Sequence, residues 1–562
     1  MLFRRRTALF VPTQKTLRTV AVVALLGLST SIAQAAAEDT SATATRITPR
    51  ALSFEQVVDR IIAEENSFVT LMKNLRPVVE TYVQYTKPDR QLGSVPVRDN
   101  YFLGQFGLTR DGVADTSYLK KPAIAPRLLN HIGGLISDRL SPVEFARTLV
   151  PDPTGFDRHH YSFTFVRREV LGDVPCIAID VRPLSDVNDE RLLGRIWVED
   201  QHYRIVRVNG TFAAQPHLKA GLHFDIWRLN LLPNVWLPAY VYSEDSDQHA
   251  AVRYKALTRI WGYDLQHAGD LREFAEPLSD EVSDVAFRKG DSGYDLSPEF
   301  SKRRFQYSTE DNIIERLQIA GLMAPRGDVD QVLQQVVANL EITNDLEIQP
   351  QIRCRVLLTS PLESFSFGHT IVLSRGLIDV LPDEATLASI LAHELAHIVL
   401  GHAAEERYAS SDSVAFPDQM TMQKLQFTGD ERQEEAANAK AMELLSKSPY
   451  NDKIAQAGLF LKALQARQPE LPNLIRAHLG NGLKQTQGLR MSALASGAPE
   501  LKPAQIDQIA ALPLGSRIKV DPWSDRIEMR KPAAVSLNYA SEKMPFEVTP
   551  LFPYLRRITS AQ

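Results

Sequence analysis

Cysteine is nearly missing from this sequence: Cys176 and Cys354 are the only two in 562 residues. That excludes a disulfide scaffold, and neither has a second cysteine nearby with which to ligate zinc. They fall in what read as different domains, so both are expected as unpaired, half-buried thiols. A basic surplus is missing as well. The net charge of -5 gives nucleic-acid binding no electrostatic support, and no such partner is expected. Also absent is any apolar run approaching the ~20 residues needed to span a bilayer.

The one short apolar run that stands out lies near the start. "MLFRRRTALFVPTQKTLR" carries Arg4, Arg5, Arg6, Lys15 and Arg18 and no acid, and "TVAVVALLGLSTSIAQA" follows it. The run is apolar from Val20 to Leu28 and ends in Ala33-Gln34-Ala35, an A-x-A cleavage pattern. Residues 1–35 thus read as a secretory signal peptide, which suits a bacterial periplasm. The alternative is an uncleaved segment anchoring the chain to the inner membrane. Peripheral association with a membrane fits either reading.

Hydrophobic content of 44% and charge of 23% are those of an ordinary globular protein. A chain this long divides into two or three domains. The apolar spacing is helical from Leu52 to about Gln84, and helices are expected to about residue 124. From 125 to 265 the pattern changes. "HYSFTFVRREVLGDVPCIAIDVRPL", "RLLGRIWVEDQHYRIVRVNGTFA" and "LHFDIWRLNLLPNVWLPAYVYSED" alternate apolar and polar residues, which predicts a curved antiparallel sheet. Asp200-Gln201-His202 and Asn209-Gly210 read as tight reversals. Trp197, Trp227, Trp236 and Trp261 read as core. Residues 51–265 would form an N-terminal α+β module, and 266–305, charged and weakly periodic, a linker. Residues 306–493 are mostly helical with short strands at "RCRVLLTS" and "HTIVLSRG". Residues 494–562 form a proline-rich extension expected to lie on that helical body. The fold class is α+β throughout.

The chemistry concentrates in "ILAHELAHIVLGH", Ile390 to His402. Pro382-Asp383-Glu384 marks a helix start, and Leu387, Ile390, Leu391, Leu395 and Val399 give it a burying stripe. His393 and His397 then fall one turn apart on one face, where two imidazoles can share a zinc ion. Glu394 is rotated about 100° from His393. It can hang beside the metal and act as general base toward a water. A buried helix with structural histidines satisfies the same short pattern, so a third ligand is required. His402 has the wrong spacing for the metzincin arrangement and reads as a helix-end residue favoured by the dipole. A second helix is expected from Glu431 to Leu445, and Glu431, Glu434 and Glu435 all qualify on chemistry alone.

"LSRGLIDVLPDEATLASILAHELAHIVLGHA" resembles the M48 zinc peptidases, which are gluzincins, and the resemblance runs from about Thr309 to Ala493. That family takes its third ligand from a downstream E-x-x-A-D. Glu434-Glu435-Ala436-Ala437-Asn438 matches it at the glutamate and the alanine, so the resemblance implies Glu434. Asn438 departs from the family's aspartate. The family's N-A-F strand, which can present its edge to substrate, corresponds to Glu363-Ser364-Phe365. His478 corresponds loosely to a later family histidine. The sheet region resembles, more distantly, the half-barrels of periplasmic lipoprotein carriers of the LolA type.

The expectation is therefore an exported zinc endopeptidase. One Zn2+ per chain is held by His393, His397 and Glu434, and Glu394 is the base. Its substrates would be proteins or peptides, outer-membrane or periplasmic proteins among them. The competing readings are a zinc-stabilised chaperone or lipoprotein carrier without catalysis, and a zinc hydrolase of non-peptide substrates.

Overall fold

The computed structural model describes residues 52–90, 93–109, 112–117, 142–184, 191–213, 222–246, 250–263, 310–402 without 312 and 316, 431–475, 491–501, 518–520, 527–529, 548 and 553–558. The expected signal peptide at 1–35, the expected linker at 266–305 and His478 lie outside the described residues.

Helix α1 (Phe54–Asn74) opens on a capping box, Ser53 and Gln56 each bonding the other's backbone amide. It ends before Pro77, a residue that cannot continue a helix. Ten antiparallel strands follow: β1 (Val78–Asp89), β2 (Gly93–Thr109), β3 (Gly112–Ser117), β4 (Tyr161–Leu171), β5 (Val174–Pro183), β6 (Arg191–Glu199), β7 (Ile205–Ala213), β8 (Leu222–Leu232), β9 (Val235–Asp245) and β10 (Arg253–Trp261). They make one sheet, ordered β3-β2-β1-β10-β9-β8-β7-β6-β5-β4. A short helix α2 (Pro142–Arg147) precedes β4.

Two expectations are corrected here. Residues 78–89, 93–109 and 112–117 are strands, not helix, so the sheet begins well before 125. Val78 and Tyr82 are buried against one neighbour while Val83 and Tyr85 are buried against another. With both faces covered, the alternation that betrays a strand disappears. Asn209-Gly210 is not a turn but lies within β7, Gly210 opposite Gly194 of β6. A Cβ on Gly194 would collide with the carbonyl oxygen of Asn209, so glycine serves close strand approach there. The turn at Asp200–His202 does occur, Glu199 accepting from the amides of Gln201 and His202.

One face of the sheet carries Ile61, Phe68 and Met72 of α1 against Ile179, Ile196, Phe224 and Ile226. Beneath α1, buried Arg228 forms a two-pronged pair with Glu65, both contacts 2.7 Å. The other face has two coverings. At β4–β9, Leu555 is fully buried among Cys176, Trp197, Trp227 and Trp236. At β1, β2 and β10, Val78, Tyr82, Tyr101, Leu103 and Trp261 merge into the core of the helical body.

That body contains α3 (Asp328–Thr343), a small sheet of β11 (Arg353–Leu357), β12 (Ser364–Phe367) and β13 (Thr370–Ser374), then α4 (Arg375–Val380), α5 (Glu384–Val399), α6 (Glu431–Ser446), α7 (Ile454–Arg467) and α8 (Ser492–Gly497). The small sheet is ordered β11-β13-β12, so β12 is an edge strand. Strands β14 (Ile518–Val520) and β15 (Ile527–Met529) pair and lie beside α4 and α3. The extension is thus on the helical body only in part. Residues 553–558 run along the large sheet instead, with Tyr554 bonded to Asp173 and Arg557 to Glu199. Both cysteines are free and fully buried rather than half-buried. Burial pushes the Cys176 thiol up to about 12, where it is inert as a nucleophile.

Candidate metal centre

Asp383 caps α5, its carboxylate accepting from the amide (2.8 Å) and hydroxyl (2.7 Å) of Thr386. Glu384 in the first turn accepts from Tyr450, 2.8 Å away. The expected apolar stripe understates this helix: every residue from Ala385 to Ala396 is buried. Ala385, Ala388, Ala392 and Ala396 are small enough to let neighbours come close, and α3, α6, α7, β12 and β13 all pack against this helix. His393 is fully buried and Glu394 is 1% exposed.

Helix α6 packs on α5. Ala437, Ala441, Leu444 and Leu445 are fully buried, and Glu434 lies on the same stripe one turn earlier. The three candidate acids now separate. Glu434 brings Oε2 to 3.2 Å from Nε2 of His393 and Oε1 to 3.5 Å from Nε2 of His397. Glu435 is exposed, and the side chain of Glu431 lies outside the described residues. The spacing of Glu434 from Ala437, Ala441 and Leu445 was a signal available in the sequence, apart from any resemblance.

The two Nε2 atoms are 3.0 Å apart, and His393, His397 and Glu434 form a group able to hold a metal ion. Three donors at about 2.1 Å from one tetrahedral ion stand about 3.4 Å from each other. The separations of 3.0, 3.2 and 3.5 Å bracket that value. Two imidazoles and one carboxylate are also a donor set that zinc prefers, with a fourth position left for chemistry. The residues fit the ion.

Around this trio lie groups the spacing did not announce. His402, just past the end of α5, donates its amide to the His397 carbonyl (2.9 Å) and brings Nδ1 to 3.2 Å from Nδ1 of His397. It is the helix-end residue expected, and it also braces the ring of His397. Asn438 accepts from the amide of Met491 (2.8 Å), holding the start of α8. Ser364 of β12 is fully buried, and its hydroxyl donates to Oε1 of Glu394 at 2.8 Å.

The sequence model of Peptidase family M48 matches residues 324–464. No curated protein matches the chain. Among solved structures, the crystal structure of MucB in complex with MucA(peri) is similar at 10% identity over 39% of this chain and 96% of that one, with a TM-score of 0.12. A likeness that slight bears on neither fold nor function. The peptidase domain of this chain is of the M48 metallopeptidase family.

Proposed function

We propose that this chain, with its M48 metallopeptidase domain at 324–464, is an exported zinc endopeptidase. It hydrolyses peptide bonds in misfolded or misassembled cell-envelope proteins. The observation that carries this reading is the meeting of His393, His397 and Glu434 within 3.5 Å, with Glu394, the residue after His393 on the same helix, 1% exposed. A structural zinc closes four protein ligands and has no use for an adjoining base.

His393, His397 and Glu434 would hold one Zn2+ per chain. When bound, the ion supplies a Lewis acid that polarises the scissile carbonyl and makes a water easier to deprotonate. Glu394 takes the proton of the attacking water and passes it to the leaving amine. Burial around His393 and Glu394 keeps bulk water from competing for that proton. The edge position of β12 beside Glu394 supports an extended polypeptide as substrate, its backbone pairing along the strand. Export, and with it a periplasmic location, rests on the signal pattern at 1–35. No helix among the described residues is long and apolar enough to cross a membrane.

The test is metal analysis of the purified protein followed by digestion of unfolded envelope proteins. One zinc per chain, with cleavage abolished by a chelator and restored by zinc, is expected. Stoichiometric zinc without cleavage of any unfolded polypeptide would refute the peptidase reading.

A further inference from the structure

Two buried polar joints tie the ten-stranded sheet to the peptidase body, and both reach one short segment, residues 358–364. In the first joint Glu80 of β1, 1% exposed, accepts from the amide (2.6 Å) and hydroxyl (2.7 Å) of Ser360 and from Tyr101 (2.7 Å). Arg259, its cross-strand partner on β10, donates to the Leu358 carbonyl (2.9 Å) and to Oγ of Ser360 (3.1 Å). From the opposite side Gly376 donates its amide to the Thr359 carbonyl at 3.0 Å. Any Cβ at Gly376 would collide with the Ser360 backbone. The segment is clamped between the sheet and the first turn of α4.

In the second joint Asp99 of β2, also 1% exposed, accepts from the amides of Asn473 (3.1 Å) and Leu474 (2.8 Å) and from the side chain of Asn473 (3.0 Å). The Leu474 carbonyl accepts in turn from the amide of Leu362, 2.7 Å away. Two residues further along the same backbone comes Ser364, whose hydroxyl reaches Glu394. None of Glu80, Arg259 and Asp99 is a metal donor, yet all three act on the chain that carries this hydroxyl.

We propose that Ser364 is a positioning residue for Glu394, and that the sheet fixes Ser364 through Glu80, Arg259 and Asp99. The inference rests on Glu394 being the base. A glutamate has several side-chain torsions, and a donor on an immobile strand removes that freedom before substrate arrives. A carboxylate has two oxygens, so anchoring Oε1 is compatible with proton transfer at the other. The large sheet is then a structural extension of the active site.

Ser364→Ala in the full-length, zinc-loaded protein tests this. Metal content should equal that of wild type and KM should stay within about twofold, while kcat falls about 10- to 100-fold, the scale of a misplaced reacting group. Ser360→Ala should give the same pattern with a smaller fall. A second readout needs no activity: in metal-free protein, Ser364→Ala should lower the melting temperature when Glu394 is present and change it little in a Glu394→Ala background. Wild-type kcat in Ser364→Ala, a kcat loss matched by lost zinc, or equal melting shifts in both backgrounds would overturn the proposal. If zinc-loaded wild type cleaves nothing, the peptidase reading fails, and the melting cycle still decides whether Ser364 holds Glu394.

Discussion

Oε2 of Glu434 stands 3.2 Å from Nε2 of His393, one delivered by α6 and the other by α5. With His397 they form the described group of acids and histidines able to hold a metal.

Alanine at His393, His397 or Glu434 should therefore lose bound zinc, since two remaining donors rarely hold it against buffer. Glu435→Ala should keep it, because that side chain is exposed. Metal analysis after dialysis reads the result. Full zinc in the Glu434→Ala protein would show that the third ligand lies elsewhere.

A fragment beginning at residue 306 should not fold stably. Cutting there uncovers the face of the body against which Val78, Tyr82, Tyr101, Leu103 and Trp261 pack. It also leaves Ser360 and Asn473 without Glu80 and Asp99. Each large apolar side chain so uncovered forfeits about 1.5–3 kcal/mol of burial. Loss of a cooperative melting transition is expected. A soluble fragment with a native-like transition would make the sheet a detachable module.

The parts legible in the sequence are those decided locally. Asp383 caps α5 as the Pro382-Asp383-Glu384 signal implied, and His393 and His397 meet because they share one turn. Strands β4 to β10 carried enough alternation to be seen. Strand β1 did not, because the helical body covers one of its faces and α1 and α2 the other. Glu80 and Gln84, which would mark an exposed face, are buried in contacts with Ser360 and Val548. Ser364 could not be paired with Glu394 from the sequence, because long-range packing of the small sheet on α5 creates that contact.

Leu555→Ala should destabilise the protein by about 2–4 kcal/mol, the usual cost of emptying a fully buried leucine site. The Trp197, Trp227 and Trp236 cluster it covers gives the measurement a fluorescence signal. Stability unchanged within about 0.5 kcal/mol would mean that the C-terminal segment does not stay on the sheet in solution.

Acid stability should depend on Glu310. Burial raises its carboxyl, but His369, Arg353 and Thr370 together outweigh that and hold it below the usual carboxylate range. A depressed folded value adds stability above the unfolded value, about 4.3, and that contribution disappears as pH falls through the folded one. Glu310→Gln should lower stability at neutral pH and flatten its decline in acid. Parallel acid limbs for the two proteins would contradict the assignment.

The central claim is tested most directly by Glu394→Gln, assayed for zinc content and for peptide cleavage on the same preparation. The amide is nearly isosteric and can still accept from Ser364, so zinc and fold should remain. It cannot take the proton of the attacking water. The account predicts full zinc with cleavage reduced about 10²–10⁴-fold. A zinc-replete Glu394→Gln protein that cleaves at the wild-type rate would contradict it.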